Sequence, residues 1–274
     1  MGYYQDFIVK PGSQVKLRDI DPDYKDGLTK EKAEEQLAKN LKKLQALQEM
    51  LYAEHKRALL VCLQAIDGGG KDGTIRGVFG PLNPQGSRVA SFKQPSTLER
   101  DHDFLWRAHR DTPVLGEICI FNRSHYEDVL VVRVRNLRPE KIWRRHYDQI
   151  NDFERNLSEN GTHVLKFFLH ISKEEQLQRF KDRLDDPAKH WKIAESDYTE
   201  RERWDEYRKA FEDALEKCST DYAPWFVIPS NKKWFRNLAV SEILIKYLED
   251  LDMKYPKPQV DVDAIRKKYF NGKK

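Results

Sequence analysis

Residues 58–74 read ALLVCLQAIDGGGKDGT. The first six of them, Ala58 to Leu63, are apolar and are typical of a strand buried on both faces. The glycines and Lys71 that follow resemble a strand-to-helix turn in which backbone N–H groups converge on phosphate oxygens, assisted by the positive end of the helix dipole. The stretch therefore predicts a phosphate-binding loop in an α/β protein. The alternative is a glycine-rich turn with an incidental lysine.

The loop departs from the G-x-x-x-x-G-K-[ST] pattern at two positions. Ala65 replaces the first glycine, and Asp72 replaces the Ser or Thr that normally binds magnesium. Carboxylates beside a polyanion repel it unless a divalent cation lies between them. Asp67 is therefore a candidate Mg²⁺ ligand, or a group that orients an attacking phosphate. Asp72 either has a direct role or only stabilises the first helical turn. Thr74 could supply the magnesium-binding hydroxyl that the usual Ser or Thr would provide.

Further apolar runs along the chain predict a parallel sheet. They alternate with helix-start signals of capping-box spacing at Ser96, Ser172 and Thr199. The predicted strands after the first are 89–92, 118–121, 164–169 and 225–228. We expect a three-layer α/β fold with five parallel strands and helices on both faces.

A long amphipathic helix is predicted before the first strand, with Thr29 as its N-cap. Its leucines recur at steps of three and four residues. They are Leu37, Leu41, Leu44, Leu47 and Leu51. This stripe indicates a helix packed on the core, with a dimer seam as the alternative.

The composition excludes several classes of protein. The 274 residues are 34% charged and 39% hydrophobic, which is typical of a globular chain with a real core. The net charge of +4 is concentrated in residues 254–274, which carry seven Lys or Arg and two Asp or Glu. The nearly neutral remainder argues against a nucleic-acid coat. No apolar stretch suits a membrane, no export signal begins the chain, and three scattered cysteines predict a reduced, cytoplasmic protein.

A second polar cluster follows the strand at 118–121. Ligands of open α/β sheets bind beyond the carboxyl ends of strands, so Asn122 and Arg123 should face the glycine loop. Arg123 can bind phosphate through two hydrogen bonds. Glu127 and Asp128 could reach a shared metal, or could be ordinary surface acids on a helix. We expect His125 to pack or hydrogen-bond rather than act as a base, because phosphoryl transfer depends on positioning and charge.

A third cluster is cationic. Arg179 and Arg183 share one helix face, Pro187 ends that helix, and Lys189 and Lys192 follow. By themselves these residues predict a solvated helix end. In a phosphotransferase with a phosphate-binding loop they would instead form a lid.

These motifs together resemble the family-2 polyphosphate kinases. The similar segments run from about Lys10 to Pro258 and appear in the family's order. They are DGGGKDGT at 67–74, SFKQPS at 91–96, DFLWR at 103–107, FNRSHYEDV at 121–129, DDPAKHWK at 185–192 and YAPW at 222–225. The combination is much more specific than any one motif.

The resemblance implies a thymidylate-kinase-like fold and an enzyme that moves phosphate between inorganic polyphosphate and nucleotides. Its cofactor would be Mg²⁺, with Mn²⁺ as a substitute. The segment 122–128 is similar to the subgroup that accepts both AMP and ADP, yielding ADP and ATP. The implied organisation is an arm and helix at 1–55, a phosphotransferase domain at 56–258 with a lid at about 179–200, and a basic tail at 259–274. The leucine stripe permits a homo-oligomer, dimer or tetramer, without demanding one.

Residue roles follow from the same resemblance. The implied catalytic residues are Asp67, Lys71, Arg123 and Asp128. Asp67 would orient the acceptor phosphate and share the metal with Asp128. The implied phosphate-chain ligands are Gly68, Gly69, Gly70, Gly73, Thr74, Arg133, Arg179, Arg183, Lys189 and Lys192. The implied nucleotide ligands are Asn122, Glu127, Lys93 and Arg107, with Glu127 helping to accept the shorter nucleotide.

Two other functions remain open on sequence alone. One is a nucleoside monophosphate kinase of the same fold that uses ATP as donor. It would need a dedicated second nucleotide site, and the sequence offers no obvious one. The other is a nucleotide-sensing protein without turnover. A pure binder would not need Asp67, Lys71, Arg123 and Asp128 together.

Overall fold

Six strands form the central sheet, in the order β1-β6-β5-β2-β4-β3. The computed structural model describes residues 2–270. The strands are β1 Ile8–Val9, β2 Ala58–Gln64, β3 Ser87–Ser91, β4 Ile118–Asn122, β5 Thr162–His170 and β6 Trp225–Pro229. All neighbouring pairs are parallel except β1 and β6.

Helices cover both faces of this sheet. The first six are α1 Tyr3–Phe7, α2 Lys30–Glu54, α3 Lys71–Thr74, α4 Thr97–Arg100, α5 Trp106–Arg110 and α6 Val131–Val134. The rest are α7 Glu140–Glu159, α8 Lys173–Leu184, α9 Glu195–Glu202, α10 Trp204–Cys218, α11 Lys233–Asp250 and α12 Val262–Tyr269. Short 3-10 turns occupy Leu17–Asp19, His125–Asp128 and Pro187–Lys192, and a π-helical turn at Ile75–Phe79 continues α3. None of the helices described is long and apolar enough to cross a membrane.

Strand β2 is buried on both sides because each face of the sheet meets helices. On β2, Leu59, Val61 and Leu63 belong to a core shared with α2 and α11. The alternate residues Leu60 and Cys62 pack on the opposite side, in a core that includes α7. The three-layer arrangement predicted from the apolar runs is therefore confirmed.

The five predicted parallel strands are all present, as β2 to β6, and the sheet has a sixth strand that the sequence pattern did not predict. Ile8 and Val9 add an antiparallel edge strand by pairing with Phe226 and Trp225 of β6. Two residues are too short to show an alternating or continuous apolar pattern. Contacts with distant residues fix their pairing, since Val9 also accepts a hydrogen bond from the Ser219 hydroxyl.

The predicted helix start at Thr199 is wrong. Helix α9 begins at Glu195, so Thr199 lies inside it. Its hydroxyl donates to the carbonyl of Ser196, one turn back, instead of accepting from the backbone ahead. The caps predicted at Ser96 and Ser172 are present.

Helix α2 packs on the core, as its leucine stripe predicts. Thr29 caps it by accepting a hydrogen bond from the backbone N–H of Lys32 at 3.4 Å. Leu44 and Leu51 are fully buried against the core that contains α11, and Leu47 lies at its margin. The N-terminal part of the chain is thus anchored to the sheet by apolar burial.

A buried charge network holds the segment after β4. Glu154 of α7 accepts hydrogen bonds from Lys166 of β5, from the Tyr126 hydroxyl at 2.9 Å and from His125 Nε2 at 3.1 Å. Burial alone would raise the pKa of Glu154, but Lys166 and His125 together lower it. Burial lowers the pKa of His125. The expectation that His125 packs and hydrogen-bonds is therefore confirmed.

Glu154→Gln is expected to lower the free energy of unfolding by about 3 kcal/mol, because it leaves the charge of Lys166 buried without a counter-ion. The measurement is urea unfolding followed by circular dichroism. Glu159→Gln, an exposed change at the end of the same helix, should stay within about 0.5 kcal/mol of wild type. Equal stability of the two variants would contradict the stabilising role given to the network.

Candidate functional site

A cavity of about 660 Å³ opens at the carboxyl ends of the strands. Its walls come from the loops that follow β2, β3 and β4, from α8 and the turn after it, and from the start of α11. This is the position at which open α/β sheets bind ligands. The loop predicted to bind phosphate therefore lies on the floor of a real cavity.

The glycine loop needs glycine for space as well as for backbone conformation. Gly68 and Gly70 have φ values of +80° and +101°, which side chains rarely adopt. A Cβ on Gly70 would lie 2.0 Å from Arg236 Nη1, and one on Gly73 would lie 3.0 Å from Nη2. The loop is thus shaped around an arginine that comes from α11.

Lys71 lies at the floor of the cavity. Its side chain is largely buried, and Nζ donates to the carbonyl of Ala65 at 3.0 Å. Burial and the neighbouring Arg123 lower the pKa of Lys71, while Asp67 opposes that change. A bound phosphate group would add the anionic partner that this buried ammonium needs.

Asp67 and Arg123 form an ion pair beside Lys71. Arg123 Nη2 donates to Asp67 Oδ1 at 2.8 Å. Arg123 has a φ of +61°, and its other terminal nitrogen lies 3.9 Å from Glu127 Oε2. Burial raises the pKa of Glu127, and Arg123 opposes that effect. The pair presents one carboxylate and one guanidinium to the same space.

Asp72 closes the opposite side of the loop. It accepts a hydrogen bond from Asn122 Nδ2 at 2.9 Å, and Lys192 Nζ lies 3.8 Å from its other oxygen. Asp72 therefore links the loop after β2 to the end of β4 and to the turn after α8. This contact gives it a structural task beyond its place in the first helical turn.

Arg179 fixes α8 to the glycine loop. Its guanidinium donates to the carbonyls of Gly68 at 2.9 Å and Ser230 at 2.5 Å, and to Glu175 at 2.7 Å. Further along the same wall, Arg183 pairs with Asp197 at 3.3 Å. The predicted lid is therefore anchored at its base by Arg179.

Several predicted residues do not line the cavity. Asp128 is buried elsewhere: burial raises its pKa to about 6, and Arg107 and Arg138 oppose that rise. Arg107 donates to the carbonyl of Lys93 at 2.8 Å, so it positions the backbone of a cavity residue. Metal sharing between Asp67 and Asp128, and a direct ligand role for Arg107, therefore stay predictions.

Arg133 and Thr74 are also engaged away from the cavity. Arg133 donates to Asp213 at 2.5 Å and to the Tyr147 hydroxyl at 3.2 Å. Thr74 is fully buried, and its hydroxyl donates to the carbonyl of Gly70 at 3.2 Å inside the helix. Neither arrangement supports direct contact with a ligand in the cavity.

The other predicted residues meet at the cavity, with two exceptions. Lining it are Asp67, Gly68, Gly70, Lys71, Gly73, Lys93, Asn122, Arg123, Arg179, Arg183, Lys189 and Lys192. Gly69 lies beneath the loop, where a Cβ would be 2.4 Å from that of Ala65. Glu127 lines a smaller adjoining cavity that also contains Asp67 and Arg123.

Sequence reasoning missed three cations of the cavity, namely Arg76, Lys233 and Arg236. Burial and the charge of Arg179 lower the pKa of Arg236 to about 9. Its Nε and Nη2 donate only to the adjacent Asn237 side chain. The signal that could have found it is the basic run at 232–236, which directly follows the carboxyl end of β6.

The cavity is strongly cationic. Ten Lys or Arg side chains line it against four Asp. The acids are Asp67, Asp72, Asp182 and Asp197. Because buried cations need anionic partners, a site of this kind suits a ligand that carries several negative charges along its length.

No group of three or more His, Cys, Asp and Glu side chains within residues 2–270 could hold a metal ion by itself. The carboxylates at the glycine loop are nevertheless suitable ligands for Mg²⁺. Mg²⁺ is commonly bound by one or two carboxylates together with water and substrate phosphates. Asp67 lies in the cavity with one carboxylate oxygen left outside its ion pair with Arg123.

Comparison with known proteins places this geometry in a family. Residues 27–256 match the family model described as polyphosphate kinase 2. The chain is 52% identical to the AMP/ADP-polyphosphate phosphotransferase of Meiothermus ruber, over 94% of this chain and 98% of that one. It is 42% identical to the ADP-polyphosphate phosphotransferase of Rhodopseudomonas palustris, over 91% of each. The crystal structure of polyphosphate kinase 2 from Arthrobacter aurescens superposes with a TM-score of 0.93 at 41% identity, covering 97% of this chain and 96% of that one.

Proposed function

This chain belongs to the polyphosphate kinase 2 family, and on that premise we propose that it transfers the terminal phosphate of inorganic polyphosphate to AMP and to ADP, reversibly. The products are ADP and ATP. The bond between the terminal phosphorus and its bridging oxygen breaks, and a bond forms to an oxygen of the nucleotide's last phosphate. The donor chain becomes shorter by one phosphate.

The observation that carries this proposal is the excess of cations in the cavity. Polyphosphate bears charge along its whole length, so it suits a cavity lined by ten Lys or Arg and four Asp. The cations extend from Lys71 and Arg123 at the loop to Lys189 and Lys192 beyond α8. An ATP donor would need a second apolar surface for its base beside that of the acceptor nucleotide, and Phe92 is the one large apolar side chain of this cavity within residues 2–270.

The transfer depends on positioning and charge, because a phosphate oxygen is already a competent nucleophile. Lys71 and Arg123 neutralise the charge on the group being transferred. Arg123 also holds the Asp67 carboxylate in place at 2.8 Å. Asp67 orients the acceptor phosphate.

The cofactor belongs to the same proposal. We expect Mg²⁺, with Mn²⁺ as a substitute, held by Asp67 and by substrate phosphates. The metal supplies charge neutralisation between donor and acceptor when it is bound. Asp128, whose burial raises its pKa to about 6, is proposed as a second carboxylate that shares this metal with Asp67.

Nucleotide binding is assigned to Asn122, Glu127 and Lys93, with Arg107 acting through the Lys93 backbone. Glu127 adjoins the Asp67–Arg123 pair, which suits a residue that helps accept the shorter AMP. The Meiothermus relative is named for both acceptors and the Rhodopseudomonas relative for ADP. The higher identity to the first favours dual acceptance.

The wider organisation stays part of the proposal. We propose a phosphotransferase domain at 56–258, with a lid at about 179–200 that is anchored by Arg179. We also propose a homo-oligomer. A cytoplasmic location is supported by Cys62, Cys119 and Cys218, which are free and buried. Of the basic tail at 259–274, residues up to 270 are described and include α12, and 271–274 lie outside the described residues.

The test is a chromatographic assay of the purified protein with polyphosphate, Mg²⁺ and either AMP or ADP, without added ATP. We expect ATP from both acceptors and none after chelation of the metal. ATP from ADP alone would overturn dual acceptance and the role of Glu127. Phosphorylation of AMP by ATP, but not by polyphosphate, would replace the proposal with an ATP-dependent nucleotide kinase.

Arg236→Gln is expected to raise KM for polyphosphate about tenfold with a smaller change in kcat, because it removes a buried cation beside Gly70. Steady-state kinetics with polyphosphate as the varied substrate measure it. Arg155→Gln, which alters an exposed arginine of α7 paired with Asp152, is the matched control and should leave KM unchanged. If Arg236→Gln kept the wild-type KM for polyphosphate, Arg236 would not contribute to binding of the donor.

A further inference from the structure

The backbone carbonyls of the glycine loop need hydrogen-bond donors from elsewhere in the chain. The N–H and C=O groups of one peptide point in opposite directions. When N–H groups of a loop turn towards a phosphate, the carbonyls of the same peptides therefore turn into the protein, where each needs a partner. Two successive carbonyls of the loop have their donors on helix α8.

Gln176 of α8 supplies the donor for the carbonyl of Asp67. Its Nε2 donates to that oxygen at 2.7 Å, and one turn later Arg179 donates to the carbonyl of Gly68 at 2.9 Å. Gln176 is only 1% exposed. A Cβ on Gly68 would lie 3.3 Å from Gln176 Cγ, so the helix packs directly on the loop at this point.

A third residue fixes the orientation of the Gln176 amide. Arg201 of α9 donates to Gln176 Oε1 at 3.0 Å, and it also donates to the carbonyl of Lys173 at the start of α8. Arginine can only donate and a backbone carbonyl can only accept, so one orientation of the amide satisfies both neighbours. The flipped amide would place a donor against Arg201 and an acceptor against the Asp67 carbonyl, which is costly for a buried group.

We propose that Gln176 is a positioning residue for Asp67, and that Arg201 keeps the amide of Gln176 in the orientation that donates to Asp67. Asp67 is then held at two points, because Arg123 binds its carboxylate at 2.8 Å and Gln176 binds its backbone. The inference rests on the proposed function, in which Asp67 orients the acceptor phosphate. Without its donor, the peptide after Asp67 is free to rotate and to displace the carboxylate, and a displacement of about 1 Å can cost much of the turnover.

The contacts of Gln176 favour this role over direct contact with a ligand. Gln176 lines the smaller cavity beside Asp67. However, its Oε1 is engaged by Arg201, and its Nε2 already donates to Asp67. A residue that bound the nucleotide directly would affect KM for the acceptor, whereas a residue that positions Asp67 affects kcat.

Steady-state kinetics of Gln176→Met test the role. Methionine has a similar length but cannot donate a hydrogen bond. We expect kcat to fall about tenfold, with KM for polyphosphate and for ADP within about threefold of wild type. Gln178→Met, at an exposed glutamine of the same helix, is the matched control and should keep the wild-type kcat. A raised KM for ADP with an unchanged kcat would make Gln176 a ligand contact and overturn the proposal.

A double-mutant cycle with Asp67→Asn separates positioning of Asp67 from a general effect on the fold. In the Asp67→Asn background, Gln176→Met should change kcat by less than about twofold, because the carboxylate that it positions is already gone. Equal tenfold losses in both backgrounds would overturn the proposal. If circular dichroism shows that Gln176→Met does not fold, Arg201→Met takes its place in the cycle, with an expected loss of about threefold that disappears in Asp67→Asn.

Failure of this inference is distinguishable from failure of the proposed function. A wild-type protein that forms no ATP from polyphosphate contradicts the proposed function. An active wild type together with an equally active Gln176→Met contradicts only the positioning role of Gln176.

Discussion

Asp67→Asn is expected to lower kcat about a hundredfold or more while leaving polyphosphate binding intact. The substitution keeps the shape of the side chain but removes the charge that pairs with Arg123 at 2.8 Å and that would hold the metal. Removing a negative charge from a cationic cavity does not weaken the binding of a polyanion. The loss should therefore fall on turnover, with KM for polyphosphate unchanged or lower.

The matched control for this prediction is Asp182→Asn. Asp182 lines the same cavity but accepts a hydrogen bond from Gln178 on α8, away from Lys71. We expect its kcat to stay within about threefold of wild type. Initial rates at saturating polyphosphate, with titration calorimetry for binding, measure both variants. If Asp67→Asn were as fast as the control, Asp67 would not orient the acceptor phosphate.

Lys71→Met is expected to reduce kcat/KM for polyphosphate about a thousandfold. Methionine fills a similar volume, so the glycine loop should keep its shape, but the positive charge at the cavity floor is lost. Lys71→Arg should not restore activity, because the site is buried and the loop is already packed against Arg236. Lys181→Met, at an exposed lysine of α8, is the control and should behave as wild type.

Thermal unfolding separates a catalytic effect of Lys71→Met from misfolding. The variant should unfold within a few degrees of wild type, because the lost hydrogen bond to the Ala65 carbonyl is one contact among many. Activity within tenfold of wild type would show that the cavity floor does not need this charge. That result would also contradict the interpretation of residues 67–74 as a phosphate-binding loop, on which the site assignment depends.

The sheet could be predicted from the sequence because its main strands are buried on both faces. Ala58 to Leu63 and Val164 to Leu169 are apolar without interruption, apart from Lys166. That lysine is satisfied by Glu154, which lies on another element and is invisible to a local pattern. Strand β1 was missed because two residues carry no periodicity.

The site could be predicted only where its residues adjoin a recognisable motif. Asp67, Lys71 and Arg123 come from strand ends, so topology brings them together. Asp128 was placed with Glu127 on sequence proximity, and it lies outside the two cavities that Asp67 lines. Arg236 arrives from α11, far along the chain, and no spacing rule connects it with the glycine loop.

The most direct test of the central claim follows the phosphate itself. Polyphosphate labelled with ³²P is incubated with the protein, Mg²⁺ and unlabelled ADP, and the nucleotides are separated and counted. The account predicts that label first appears in the γ-phosphate of ATP, with one labelled phosphate for each one lost from the chain, and that Asp67→Asn transfers it about a hundredfold or more slowly. Label released as orthophosphate without labelled ATP would contradict it, as would ATP formed while the polyphosphate keeps its length.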